Sequence, residues 1–288
     1  MKRWLGIGVA MGLAALGGAA QAANWQDLGN PKVGPQQTLK QFHDYFKSRF
    51  PSIPLQKYAD GPYIFNKDLM QQYQEAVQFN PGEITLEEGK KLWDAPFRNG
   101  KTYASCYPDG GKGVATRYPY YDPKLQTVVT LGGSLNACRE HNGERPLQYA
   151  GAKMAALQTY LASLSNGLPV DVKVQGPGAI HAFEQGKAFY FMKRGPHGFS
   201  CAACHVAQAG MSLHNHQTIS ATLGEAAHFP AYGVGGSAVK TLQKQFADCE
   251  TKLGVKPHPL ESTDYRDLEY FVTYLSNGIR INAPGYQP

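Results

Sequence analysis

Cys201-Ala202-Ala203-Cys204-His205 has the spacing Cys-x-x-Cys-His, the attachment signature of a c-type haem. Two thiols at this spacing reach the vinyl groups along one porphyrin edge. The imidazole that follows turns under the iron as proximal ligand. A Cys-x-x-Cys pair also occurs in thioredoxin-like redox proteins, but there it accompanies a βαβ pattern, and the sequence around 201–205 has none. The motif occurs once, which predicts one covalently bound c-type haem: Cys201 and Cys204 bind the porphyrin and His205 the metal.

The frame around the motif is that of an exported globular chain. Apolar residues make up 42% of 288, enough for one large or two ordinary folded domains. The net charge of +6 is not gathered into a basic face, and no phosphate loop or nucleic-acid signature is present, so nucleic acid is excluded as a partner. Lys2-Arg3, an apolar run to Ala19, and Ala20-Gln21-Ala22 read as a secretory signal peptide over 1–22. The run is short for a membrane span, and none is expected after cleavage. The expected location is a bacterial periplasm, where disulfides persist.

Haem attachment uses two of the five cysteines and leaves Cys106, Cys138 and Cys249. An internal repeat sorts them. Leu86-Glu87-Glu88-Gly89-Lys90 matches Phe183-Glu184-Gln185-Gly186-Lys187, each reading as the opening of a cytochrome c first helix. Cys106 follows Gly89 by 17 residues, while Cys201 and Cys204 follow Gly186 by 15 and 18. Further on, Ser165-Asn166-Gly167-Leu168 matches Ser276-Asn277-Gly278-Ile279, each after an apolar helix. Cys138 and Cys249 each precede their serine by 27 residues. The fold class expected is mainly α, with two cytochrome-c-like domains in tandem by internal duplication, only the C-terminal one binding haem. The divisions read 1–22 signal peptide, 23–80 N-terminal extension, 81–172 haem-less domain and 173–288 haem domain. Residues 171–180 read as linker, and Gly233–Gly236 as a loop before the helix bearing Cys249.

In the first half, Cys106 stands at the attachment position without a Cys-x-x-Cys-His. Without haem between them, Cys106 and Cys138 are expected to pair as a disulfide; two separate thiols are the alternative. Cys249 is then unpaired, and its thiolate is a strong, soft ligand for iron. The usual distal ligand is Met, but after His205 the only one is Met211, six residues on and too near to cross the haem. His214, His216, His228 and His258 remain as alternatives, and Cys249 is the preferred distal metal ligand.

The chain resembles the SoxA family, the larger subunits of the SoxAX cytochromes of bacterial sulfur oxidation. The resemblance rests on Arg49-Phe50-Pro51, Leu92-Trp93, Asn99-Gly100-Lys101-Thr102-Tyr103, Tyr118-Pro119-Tyr120-Tyr121-Asp122, Cys138-Arg139-Glu140, Phe229-Pro230-Ala231-Tyr232 and Leu268-Glu269-Tyr270-Phe271. It implies an L-cysteine S-thiosulfotransferase of the single-haem type, with a disulfide in the haem-less domain and Cys249 as both distal ligand and catalytic residue. It implies a heterodimer with a small cytochrome c, SoxX, and thiosulfate transfer to a cysteine of SoxY in the SoxYZ carrier, with electrons passing to a cytochrome c. Two other readings compete: a pure electron-transfer cytochrome, and a thiosulfate dehydrogenase-like paralogue. The family's usual Arg four residues before the active cysteine is here Gln245, and a second Arg five residues after it is Gly254. Gln245 and Lys244 are the candidate substrate contacts, with Lys240, Lys252 and Lys256 also flanking Cys249.

Overall fold

The computed structural model describes residues 24–213 and 217–287. The expected leader at 1–22 and two ligand candidates, His214 and His216, lie outside the described residues. The fold is mainly helical. In chain order the helices are α1 (Pro35–Arg49), α2 (Lys67–Ala76), α3 (Gly82–Asp94), α4 (Leu131–His141), α5 (Ala152–Ser163), α6 (Pro177–Phe191), α7 (Glu225–His228), α8 (Leu242–Lys252) and α9 (Thr263–Leu275). Short strands β1 (Tyr120–Asp122) and β2 (Thr127–Val129) form a hairpin. Strand β3 (Ala231–Gly233) lies between antiparallel β4 (Ala238–Lys240) and parallel β5 (Gly285–Gln287).

Local sequence sets the helix ends. Pro35 occupies the first turn of α1, where its missing N–H costs nothing, and Pro51 follows the helix end. Side chains of Thr130, Thr241 and Ser262 accept from free N–H groups at the starts of α4, α8 and α9. Pro177 likewise starts α6, so this helix begins inside the stretch read as linker. Leu86–Lys90 and Phe183–Lys187 are consequently mid-helix and not helix openings. The loop expected at Gly233–Gly236 is the turn of the β3–β4 hairpin.

Two helix pairs organise the core, α3 with α5 and α6 with α9. Each pair closes at a glycine. A Cβ on Gly89 would lie 2.1 Å from the Ala156 carbonyl oxygen, and one on Gly186 would lie 2.0 Å from that of Asp267. Only hydrogen in place of a side chain permits this approach.

The two halves fill their centres differently. In the first, Trp93 stacks on Tyr103 and Tyr107 at 5.6 and 5.5 Å, among Leu135, Leu157 and Leu161. The N-terminal segment packs on the second half: Phe42 and Phe46 of α1 are fully buried in one core with Phe183 and Phe271. The buried Lys187 ties this segment down by donating to the Asn30 and Val33 carbonyls at 3.1 and 2.7 Å and pairing with Glu184 at 2.9 Å. Among the described residues, no helix is long and apolar enough to cross a membrane.

Candidate functional site

Between α6, α8 and α9 lies a cavity of ≈ 260 Å³. Cys201, Cys204, His205 and Cys249 all line it, although 44 residues separate His205 from Cys249 (249 less 205). The rest of the wall is largely apolar or aromatic, including Tyr190, Leu242, Phe246, Leu268 and Val272. Tyr190 meets the Thr222 hydroxyl, and the Thr222 N–H donates to the His205 carbonyl at 3.0 Å.

His205 sits in a wide helical turn, Ala203–Ala207. Its Nδ1 lies 3.1 Å from the Ser220 carbonyl oxygen and 3.2 Å from the Ser220 hydroxyl. Donation from Nδ1 fixes the tautomer and leaves Nε2 with its lone pair, the arrangement a ligating histidine requires. Arg49, the last residue of α1, donates to the carbonyls of Val206, Ala207 and Ala209 at 2.5, 2.8 and 3.1 Å. The attachment turn is thereby clamped directly behind His205. Nothing in local sequence spacing joins Arg49 to residues more than 150 positions away.

Cys249 projects from α8, with the Gln245 side-chain amide donating to its sulfur at 3.8 Å, one turn earlier. Burial pushes its thiol up to about 12; the Cys201 thiol and the Glu225 carboxylate add to the shift and Lys252 opposes it. Burial likewise pushes Cys201 up to about 11, with Arg194 opposing, and raises Cys204. An apolar pocket holding protonated thiols is inert by itself, whereas coordination to a metal ion deprotonates a thiol outright.

The other distal-ligand candidates within the described residues are engaged elsewhere. Met211 is 55% exposed and does not line the cavity. His228 has Nδ1 3.2 Å from the Gly224 carbonyl and Nε2 2.7 Å from the Gln287 amide. His258 has Nδ1 3.0 Å from Glu250 and Nε2 3.8 Å from Asp264. Two thiols, an oriented imidazole and a third thiol on the wall of one apolar cavity form a donor set that fits a c-type haem.

The expected substrate contacts divide. Gln245 lines the cavity, but Lys244 does not; its ammonium pairs with Asp248, as does that of Lys240 at 2.8 Å. A shared acid on α8 draws both lysines away from the cavity. The cations that do line it are Arg194 and Lys252. Arg194 pairs with Glu250 at 2.7 Å and lies 3.6 Å over the Phe189 ring. In the other half, Cys106 and Cys138 form a disulfide, and the Asn142 amide donates to both sulfurs at 3.4 and 3.8 Å.

Comparison with known proteins places the chain among relatives. The family model "SoxA/TsdA, cytochrome c domain" matches residues 88–170 and 185–281. The chain is 40% identical over 246 residues to the L-cysteine S-thiosulfotransferase subunit SoxA of Chlorobaculum tepidum, covering 85% of each chain. It is 37% identical to the protein of that name from Allochromatium vinosum, over 87% of this chain and 89% of the other. The fold matches the crystal structure of SoxXA from P. pantotrophus with a TM-score of 0.70 at 24% identity, over 76% of this chain and 84% of that one. The chain belongs to the SoxA/TsdA cytochrome c family, among its SoxA subunits.

Proposed function

We propose that this chain is a periplasmic, single-haem SoxA subunit, an L-cysteine S-thiosulfotransferase that joins thiosulfate oxidatively to a cysteine of the SoxY carrier. It works as a heterodimer with the small cytochrome SoxX and passes electrons to a cytochrome c. The observation that carries this reading is the position of Cys249, a thiol on the same cavity wall as Cys201, Cys204 and His205. A pure electron carrier would more often place Met or His there than a thiol.

A carrier thiol RSH and thiosulfate, S₂O₃²⁻, give RS–S–SO₃⁻, one proton and two electrons. One S–S bond forms, the S–H bond breaks, and the electrons leave to the acceptor cytochrome. When bound, the haem supplies a one-electron redox centre and an iron that prefers thiolate sulfur. The protein's own residues do the rest. Ser220 orients His205, Gln245 supplies a donor to the Cys249 sulfur, and the apolar wall excludes water from the sulfur chemistry.

The domain reading belongs to the same proposal: two cytochrome-c-like units related by duplication, with haem only in the second. Its support is one offset of 111 residues (249 less 138). That offset relates α4 to α8, the β1–β2 hairpin to β3–β4, and the cis prolines Pro119 and Pro230. It also relates the left-handed residues Gly113, Gln126, Gly143 and Gly167 to Gly224, Ser237, Gly254 and Gly278. Export through residues 1–22 completes the reading.

The test is production in a periplasm that matures haem, followed by mass and low-temperature EPR spectra. One haem, one disulfide and a low-spin thiolate-type ferric signal are expected. Cys249→Ala should lose that signal and the transfer of thiosulfate to the carrier. If both persist in Cys249→Ala, the proposal fails.

A further inference from the structure

The proposed transfer brings a doubly charged anion to Cys249, and the inference here rests on that reading. An anion meets an unfavourable field at this place. Cys249 is in the last turn of α8, where free carbonyls give the helix end partial negative charge. Carboxylates of Glu225 and Glu250 also line the cavity. Some cation must offset them, and most nearby cations are already committed. Lys240 and Lys244 share Asp248. Arg194 is held by Glu250 and is itself mostly buried, with 13% of its side chain exposed.

Lys252 differs from all of these. It closes α8 three residues after Cys249, on the same helix face, and lines the cavity while exposed to solvent. Among the described residues it has no acid partner within salt-bridge distance. Gln245, Cys249 and Lys252 therefore form one stripe on α8: an amide donor, the sulfur, then an exposed lysine that also lines the cavity.

We propose that Lys252 is the specificity-determining residue that captures sulfur oxyanion dianions at Cys249. An ammonium on a flexible stem is a point charge, not a planar fork. It steers and holds the anion without fixing its orientation, so its contribution is to capture and not to the chemical step.

The holoprotein tests this with its partner cytochrome and carrier present. Lys252→Gln should raise the KM for thiosulfate about tenfold and leave kcat within about twofold, and Lys252→Arg should restore KM. Lys90→Gln, the same charge change on α3 in the other half, should do nothing. A second readout needs no turnover: calorimetric titration of the ferric holoprotein with thiosulfate, carrier absent. Lys252→Gln should weaken that Kd about tenfold and flatten its salt dependence. An unchanged thiosulfate Kd in Lys252→Gln, or no thiosulfate binding by the parent chain, overturns the inference. Binding that depends on Lys252 in a chain that transfers nothing to a carrier would instead overturn the functional reading and leave Lys252 as an anion anchor.

Discussion

Arg49 and Val206 are 157 residues apart in the chain, and the guanidinium of one donates to the carbonyl of the other at 2.5 Å. Arg49 also holds Ala207 and Ala209, so the turn after His205 is fixed by a helix from the N-terminal segment. Arg49→Ala leaves three carbonyls without this donor. A loss of about 2 kcal/mol, or roughly 4–8 °C in Tm, is expected. Arg49→Lys should recover less than half, because one ammonium cannot span the three oxygens. Thermal melts of the holoprotein decide it, and a wild-type Tm for Arg49→Ala would remove the clamp from the account.

Gly186 gives the steric prediction. A methyl group there meets the Asp267 oxygen at 2.0 Å and Phe271 Cβ at 2.9 Å. Gly186→Ala should cost about 3 kcal/mol or more, and Gly89→Ala a similar amount, because neither backbone can retreat without opening its helix pair. Gly235→Ala, with nothing within 4 Å, should stay within about 0.5 kcal/mol. Guanidinium titrations of the three variants measure the differences.

The Cys106–Cys138 disulfide closes 32 residues. Constraining an unfolded loop of that length is worth about 3–4 kcal/mol in the chain-entropy description. The double Cys106→Ser, Cys138→Ser variant should lose that stability in denaturant titrations. Its haem absorption should stay as in the parent, since both sulfurs lie in the other half. A shifted haem spectrum would mean that the halves are coupled more tightly than their separate cores imply.

Glu269 makes stability depend on pH. Burial, with the neighbouring Glu261 carboxylate adding, raises its carboxyl to about 8, and Gln243 opposes by donating to it at 2.8 Å. Gln243 donates to Glu261 as well, at 3.0 Å, and Glu261 accepts from Thr130 of the other half at 2.6 Å. Between the unfolded value near 4.3 and about 8, the folded chain holds a proton that the unfolded chain has released. Stability therefore falls as pH rises through that window and levels off above it. Glu269→Gln should flatten the curve and raise Tm at pH 8 by roughly 2–4 °C, seen in melts from pH 5 to 9. A Tm-against-pH curve of Glu269→Gln parallel to that of the parent would contradict this assignment.

The sequence by itself carried the attachment motif, because Cys201, Cys204 and His205 are close in the chain and their spacing alone matches one porphyrin edge. It also carried the apolar runs of the core helices and the matching distances from Cys138 and Cys249 to their serines, since these follow periodicity and spacing. The likeness of the two hairpins is not legible in the side chains, because Tyr118-Pro119 and Phe229-Pro230 share a cis backbone more than side chains. Tertiary structure decided what depends on contacts between distant segments. It buried Phe42 and Phe46 in the second half's core and set Arg49 behind His205. It also gave Asp248 to Lys240 and Lys244, leaving Lys252 as a cavity-lining cation with no acid partner among the described residues. Charge along a sequence shows which cations exist. Only the folded chain shows which are already neutralised, because pairing depends on distances that spacing does not encode.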